Sequence, residues 1–367
     1  MSVKHSQLGD FLATTLDDLP ENYFEVTWDN QDYEACRIMQ QDRYVIDGGD
    51  EVVRKVMFDH SGRAHYRRYY DIDEPTTADV MHTIKAPWTQ ITTDYSWDEL
   101  EILRNKNNAK GFIDLMKIKR TDALWSLAQK IEERFWKTPS TSSDDLYPYG
   151  VPYYINMMDK DTTTDGFVGQ TIRYQDGNTG TACANVDAST EPKWRNWAGL
   201  YTDIDNTMLK KFRLAFMYTR FKAPIIVNDP SNVRTLQKRI YTDFSNTADL
   251  MDLVDAKDDR HTTKEGLGRM IVADGPLVYI NRLPVVPISE LESDADLETG
   301  DATGAIYCVD FSFFIPYIQQ GYWMKEGEPM SDRLQHTTFT IYIDGSHNNI
   351  CLNRRRAGFV LHKALTA

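Results

Sequence analysis

Asp161, Thr163 and Asp165, with Gly166 behind them, stand at the offsets of the first three ligands and the turn glycine of a helix–loop–helix calcium loop. Such a loop also needs a bidentate Glu at its twelfth position. Ile172 stands there, so a polar surface turn is the expectation. Six carboxylates follow one another from Glu290 through Glu292, Asp294, Asp296 and Glu298 to Asp301. They could hold a divalent cation, although a run of this kind is more often a solvated loop. The eight histidines, at positions 5, 60, 65, 82, 261, 336, 347 and 362, form no HxxxH or HExxH pair, so no helical metal face is expected. Cys36, Cys183, Cys308 and Cys351 form no CxxC, and four reduced thiols without zinc are expected. No GxSxG, GxGxxG or Walker sequence occurs. Two of the many Asp and Glu residues could pair in space as a glycosidase dyad, but the sequence singles out no pair. Arg354-Arg355-Arg356 is a tight basic cluster. Three cations do not make a nucleic-acid site. On a terminal strand they are expected to meet acids across an interface. No catalytic residue, cofactor site or metal ligand is assigned.

The elements that would position these groups follow from periodicity. Leu8, Phe11, Leu12, Leu16 and Leu19 mark a helix over 5–19, ended by Pro20. Residues 22–46 have no clean period and are expected to form an extended arm. Val52–Phe58 and Arg63–Tyr70 flank a turn at Gly62, which predicts a hairpin. A two-stranded hairpin is marginal alone in water, so it must lie against something. Pro87–Thr92 suggests a strand, and Ser96 with Glu99 three residues on suggests a capping box opening a helix. Ile113, Met116, Leu124, Leu127, Ala128, Ile131 and Phe135 predict one helix from about Ala109 to Lys137, roughly 42 Å long. Residues 138–200 are rich in loop signals. Beyond them come a helix from Thr202 to Lys222, a strand at Ile225–Val227, and a helix capped by Ser231 that carries Val233, Leu236, Ile240 and Phe244. Strands are expected at 270–272 and 277–280 around the turn Asp274-Gly275-Pro276, and again at 339–343 and 351–352. This alternation predicts a second, mixed α/β domain. No internal repeat is present.

The chain has 367 residues, 41% of them hydrophobic and 12% aromatic, which suffices for two or three domains and excludes disorder as the main state. Eight Trp and 20 Tyr suit either a large core or an interface. A net charge of −14 excludes a nucleic-acid grip over the whole surface. No apolar run reaches the ~18 residues of a membrane span. Nor does the start of the chain read as a signal peptide, so a protein made and kept in a reducing cytoplasm, or in a particle assembled there, is expected.

Several local sequences carry a family resemblance. Trp88-Thr89-Gln90-Ile91 through Trp97-Asp98-Glu99-Leu100-Glu101, Tyr149-Gly150-Val151-Pro152-Tyr153, Lys193-Trp194-Arg195-Asn196-Trp197 with Tyr201, Leu283–Ile288, Ala305–Phe311 and Asn349–Arg356 follow one another in an order that resembles tailed-bacteriophage major capsid proteins of the Hong Kong 97 fold. The resemblance spans roughly residues 20–363. It implies an α+β protein with an N-terminal arm (1–45), an extended β-hairpin loop (46–75), a peripheral domain (76–199) containing a long spine helix (109–137), an axial α/β domain (200–335), and a return to the peripheral domain (336–367).

That resemblance implies a shell-building protein and no enzyme. It would assemble with itself, in hexamers and pentamers, into the icosahedral head shell that encloses double-stranded DNA without sequence-specific binding. Its further partners would be a portal, a separate scaffolding protein or none, since no long charged prefix precedes the arm, and in some shells a decoration protein. Its place would be the virion head, built in the bacterial host cytoplasm, with no membrane and no cofactor. Arg54, Lys55, Arg63, Arg67 and Arg68 of the hairpin, together with Arg354, Arg355 and Arg356, would make intersubunit contacts. Some relatives join subunits by a Lys–Asn isopeptide bond; Lys55 lies in the hairpin, but no partner Asn can be matched. Two rivals stand beside this reading. A soluble carbohydrate-active enzyme with an unidentified carboxylate pair fits the Trp, Tyr and Asp content, and lacks a catalytic signature. Another virion part, such as a decoration or tail-tube protein, sits poorly with the long helix and the chain length.

Overall fold

The periodic run from Ala109 folds as one helix of 27 residues, Ala109–Phe135. Ala123, Leu127, Ile131 and Phe135 recur every fourth residue and are all buried, so a single stripe faces the core. Burying each large member of that stripe stabilises the fold by about 1.5–3 kcal/mol. The computed structural model describes residues 33–58, 60, 62–70, 72, 80–104, 109–222, 224, 226–227, 236–258, 271–274, 277–292, 304–331 and 337–365. The helix expected over 5–19, the Ser231 cap with Val233, and positions 293–301 of the acidic run lie outside these residues.

Among the described residues, two large sheets organise the chain. The first has six strands around Thr338–Cys351, which is 14 residues long. One edge of that strand pairs with Thr89–Asp98, from Thr338 opposite Asp98 to His347 opposite Thr89. Its other edge takes Phe314–Gln319, Lys325–Glu326 and Met330–Ser331 in turn. Tyr44–Ile46 adds in parallel to Phe314–Gln319. The long helix packs against Thr89–Asp98.

The second sheet has eight strands, ordered Ile271–Asp274, Leu277–Ile280, Leu283–Pro287, Lys238–Thr242, Ile306–Asp310, Gly358–His362, Asn196–Leu200 and Gly166–Gly169. Its middle strands are buried on both faces. Trp197, Ile240, Val285, Ile306, Cys308, Phe359 and Leu361 face the helices Asn206–Thr219 and Phe244–Asp258. Their neighbours Ala198, Tyr241, Tyr307, Val309 and Val360 face the core shared with the first sheet. Two-sided burial explains why 305–309 and 283–288 read as apolar runs rather than as alternation.

Several expectations need correction. The hairpin pairs Glu51–Met57 with Met81–Pro87, not with 63–70. Val52, Ile84 and Ala86 are buried in the chain's own core, whereas Arg63–Tyr70 is exposed throughout, its tyrosines included. Part of the expected arm is the helix Glu34–Gln41, with Ala35, Ile38 and Met39 buried at helical spacing. Ser96 is a strand residue opposite Thr340; Asp98 caps the helix Glu99–Arg104, its carboxylate accepting from the Leu100 amide at 2.8 Å. Ile240 lies in the strand Lys238–Thr242 and Phe244 opens the next helix, so no single helix carries both. Ile226 and Val227 form a turn rather than a strand. Arg354–Ala357 is one helical turn, not a strand, capped by the Asn353 side chain. Phe314–Gln319 belongs to the six-stranded sheet, and Gly358–His362 to the middle of the eight-stranded one.

Candidate functional site

The three consecutive arginines point three ways because they sit on a helical turn. Arg354 is wholly buried. Its guanidinium donates to the carbonyls of Tyr154 (2.6 Å), Trp194 (2.8 Å) and Gly169 (3.1 Å), and to Asn196 Oδ1 (3.1 Å). The charge is therefore met by peptide dipoles, inside its own chain. Arg356 is nearly buried, with its guanidinium 4.2 Å from the Phe221 ring centroid and 5.8 Å from that of Phe313. Arg355 stacks 4.2 Å over Phe167 and faces outward. The expected interface role is withdrawn for Arg354 and Arg356, because neither presents its charge to a neighbour.

The hairpin arginines divide as well. Arg54 Nε donates to the Tyr317 hydroxyl at 3.3 Å, and the guanidinium lies 5.4 Å from that ring, so it fastens the hairpin to the six-stranded sheet. Lys55 points outward from the same strand. Arg63, Arg67 and Arg68 lie in the connection between the two hairpin strands and are exposed. Tyr66, Tyr69, Tyr70 and Ile72 beside them are at least 90% exposed. Large apolar groups left uncovered next to guanidinium groups make this a candidate interaction surface. A second such surface gathers Leu214, Met217, Tyr218, Phe221 and Ile226 around the end of Asn206–Thr219.

Among the described residues, burial holds several titratable groups in their neutral forms. Burial pushes the thiols of Cys36 and Cys308 up to about 12 and that of Cys183 to about 11; Cys351 is raised further by the same cause. All four are free thiols. His347 is buried and pushed down to about 4 by the loss of water. His362 is also held at about 4, mainly by burial; its Nε2 accepts from the Met158 amide at 3.0 Å, and its Nδ1 meets the Lys363 carbonyl at 2.7 Å. That pairing fixes a neutral ring that donates through Nδ1. Among the described residues no group of three His, Cys, Asp or Glu side chains could hold a metal ion. Nor is any described helix long and apolar enough to cross a membrane. An open cleft of about 260 Å³ lies between Thr89–Asp98 and the long helix. Its one carboxylate, Glu133, is ion-paired with Lys130 at 2.7 Å, so this cleft lacks the paired carboxylates a glycosidase needs.

No family model matches the chain, and no curated protein matches it. Solved structures do. The chain aligns over 97% of its length with 99% of a chain from the cyanophage A-1(L) capsid asymmetric unit, at a TM-score of 0.61 and 13% identity. It aligns over 95% of its length with 95% of a chain from the capsid of an empty GTA particle, at 0.54 and 11%. A chain from the capsid of Myoviridae phage XM1 is covered over 99%, by 99% of this chain, at 0.51 and 8%. The chain has the fold of phage capsid proteins.

Within this capsid fold, Arg354 was named from the sequence as an interface residue and not as a buried hub, and a buried acid, Glu132, was not singled out. The Asn353-Arg354 step did carry a signal. Asn is a preferred N-cap, and it placed a helix start where a strand was expected. Glu132 carried none, since one Glu among Glu132, Glu133 and Lys130 reads as a solvated helix face.

Proposed function

We propose that this chain is a major capsid protein of a tailed phage, structural rather than enzymatic, that assembles into the icosahedral head shell around the packaged genome. The observation that carries this reading is alignment over nearly the full length of both chains with capsid subunits, with no large part left over for another task. In Hong Kong 97 terms, 1–45 is the arm, Glu51–Met57 and Met81–Pro87 with the connection between them the hairpin loop, and Ala109–Phe135 the spine helix. The six-stranded sheet and that helix belong to the peripheral domain, and the eight-stranded sheet with its helices to the axial domain that builds hexamers and pentamers. The hairpin connection, with Arg63, Arg67, Arg68 and its uncovered tyrosines, lies over a neighbouring subunit. Lys55 and Arg355 are further candidates at such contacts, and Arg54 braces the hairpin from beneath. Small contacts suffice here because a closed shell repeats each of them. A separate scaffolding protein, a portal and a decoration protein complete the particle, and assembly takes place in the host cytoplasm.

Negative-stain microscopy of the purified chain, alone and co-expressed with the scaffolding protein of its phage, tests this. Closed shells or hexameric and pentameric capsomers are expected. Compact monomers or dimers under both conditions would overturn the reading.

A further inference from the structure

The helix Asn206–Thr219 is amphipathic on two sides. Met208, Leu209, Phe212 and Ala215 are buried with the eight-stranded sheet. On the opposite side Lys210, Arg213, Leu214, Met217 and Tyr218 stand at i, i+3, i+4, i+7 and i+8, and Phe221 continues the row beyond the last turn. All six are exposed, Met217 by 72% and Tyr218 by 55%. A solvated helix face carries no such apolar row. The row is also braced from beneath. The Arg356 guanidinium lies 4.2 Å from the Phe221 ring centroid, and Tyr218 meets Phe167 edge-on at 6.4 Å, with Arg355 4.2 Å over Phe167.

The charge along this row has one sign. No Asp or Glu occurs from Asn206 to Lys222, although the whole chain carries a net charge of −14. Lys211 pairs with Asp165 at 2.9 Å, to the side of the row. Lys210, Arg213, Arg220 and Lys222 are exposed along it. An apolar row rimmed by cations fits an acidic amphipathic helix. The sequence offers one. Leu8, Phe11, Leu12, Leu16 and Leu19 stand at the spacing of one helix face within 5–19, and residues 1–32 hold seven carboxylates against a single lysine. The acidic run from Glu290 to Asp301 supplies charge without an apolar row: of its two leucines, Leu291 is already buried.

We propose that residues 5–19 dock as a helix on this row of the same chain. The lengths match: a helix over 5–19 spans about 22 Å, and the row from Lys210 to Phe221 about 17 Å. The reach suffices. Glu34 accepts from the Tyr241 hydroxyl at 2.9 Å. Three residues along the same strand, about 10 Å away, Lys238 Nζ donates at 2.8 Å to Oγ1 of Thr219, the last residue of the helix that carries the row. Residues 20–32 can span up to ~43 Å, enough to pass round the sheet. Docked, the segment covers Leu214, Met217 and Tyr218 and brings Asp10, Asp17 and Asp18 among the cations. The contact lies within a single copy and stands independently of the assembly reading.

The test is hydrogen exchange on the unassembled full chain, diluted until light scattering finds monomers. Amides of 5–19 should exchange about tenfold or more slowly than in an unstructured peptide. That protection should fall between about 0.05 and 0.5 M salt, as the charges are screened. Met217→Glu, at an exposed position, should remove it while the amides of 208–219 stay as protected as in wild type. Leu12→Asp should do the same from the other side of the contact. Free exchange of 5–19 in wild type would overturn the proposal. So would protection that survives Met217→Glu, which would place the segment elsewhere, and protection that arises only as dimers or larger species form, which would give the row to a second copy.

Discussion

Replacing Arg354 by Met should destabilise the subunit more than any change to its two neighbours in sequence. The guanidinium bridges three carbonyls and one side-chain amide drawn from Val151–Tyr154, Gly166–Gly169, the turn at Trp194 and the strand at Asn196. Through Tyr154, whose ring lies 5.9 Å from Phe314, the same network reaches the six-stranded sheet. Each bond from a charged donor contributes about 1.5–3 kcal/mol, so the four together amount to roughly 6–12 kcal/mol before any cost is subtracted. Dehydrating the cation costs several kcal/mol, and that cost disappears with it, which leaves a net loss of about 3–5 kcal/mol. Against a total stability of about 5–15 kcal/mol, such a loss is large. Urea unfolding of the unassembled chain, followed by Trp fluorescence, should show a lower midpoint at unchanged slope. Arg354→Lys should recover less than half of the loss, because a single ammonium cannot span acceptors in three directions. A Met variant within about 1 kcal/mol of wild type would refute the argument, since it would mean that packing, not charge, holds this junction.

The exposed connection should behave in the opposite way. Arg67→Glu with Arg68→Glu is expected to cost about 2–4 kcal/mol per intersubunit contact, abolishing shells while the subunit's own melting curve stays put; normal shell yield would sink this. Gly150→Ala would set a Cβ 2.1 Å from the Lys137 carbonyl and 2.7 Å from that of Phe135, so a loss of about 3 kcal/mol is expected in thermal unfolding, and an unchanged midpoint would contradict it. Thiol titration should find four thiols in the denatured, unreduced chain and only Cys36 reacting in the native one.

What the sequence made legible was what local pattern can encode. The long helix showed because Leu127, Ile131 and Phe135, all buried on one face, stand at helical spacing, and Leu283–Pro287 and Ile306–Asp310 showed as largely apolar runs, whereas the central strand Lys238–Thr242 was read as part of a helix. What it hid was pairing. Val52–Phe58 was matched to its nearest β-like neighbour, although the true partner, 81–87, lies beyond a connection of more than 20 residues. No local signal reports that only 81–87 offers an apolar face, Ile84 and Ala86, in register with Val52. The arginine cluster was misjudged for a related reason. Charge predicts exposure by default, and only the converging carbonyls of three distant segments make burial of Arg354 tolerable. Arg63, Arg67 and Arg68, picked out from the sequence for an interface, are exposed in the folded chain.

Two sets of buried titratable groups act on the subunit with opposite sign, and their sum is testable. His347 and His362 are held near 4 against an ordinary 6.5, so their contribution is fully present above pH 6.5 and is lost as pH falls toward 4. Each could remove up to about 3 kcal/mol over that interval. Glu132, raised from 4.5 to about 7, does the reverse: acidification from pH 7 to 4.5 restores up to about 3 kcal/mol. Two terms against one leave a net loss, so wild type should weaken on acidification by about half of what the histidines alone would take. Glu132→Gln removes the opposing term and leaves both histidines in place. Its urea midpoint should therefore fall about twice as steeply as the wild type's between pH 7 and 5. An acid slope in Glu132→Gln equal to or shallower than the wild type's would show that Glu132 is already ionised and accommodated in the folded chain, and the balance described here would be wrong.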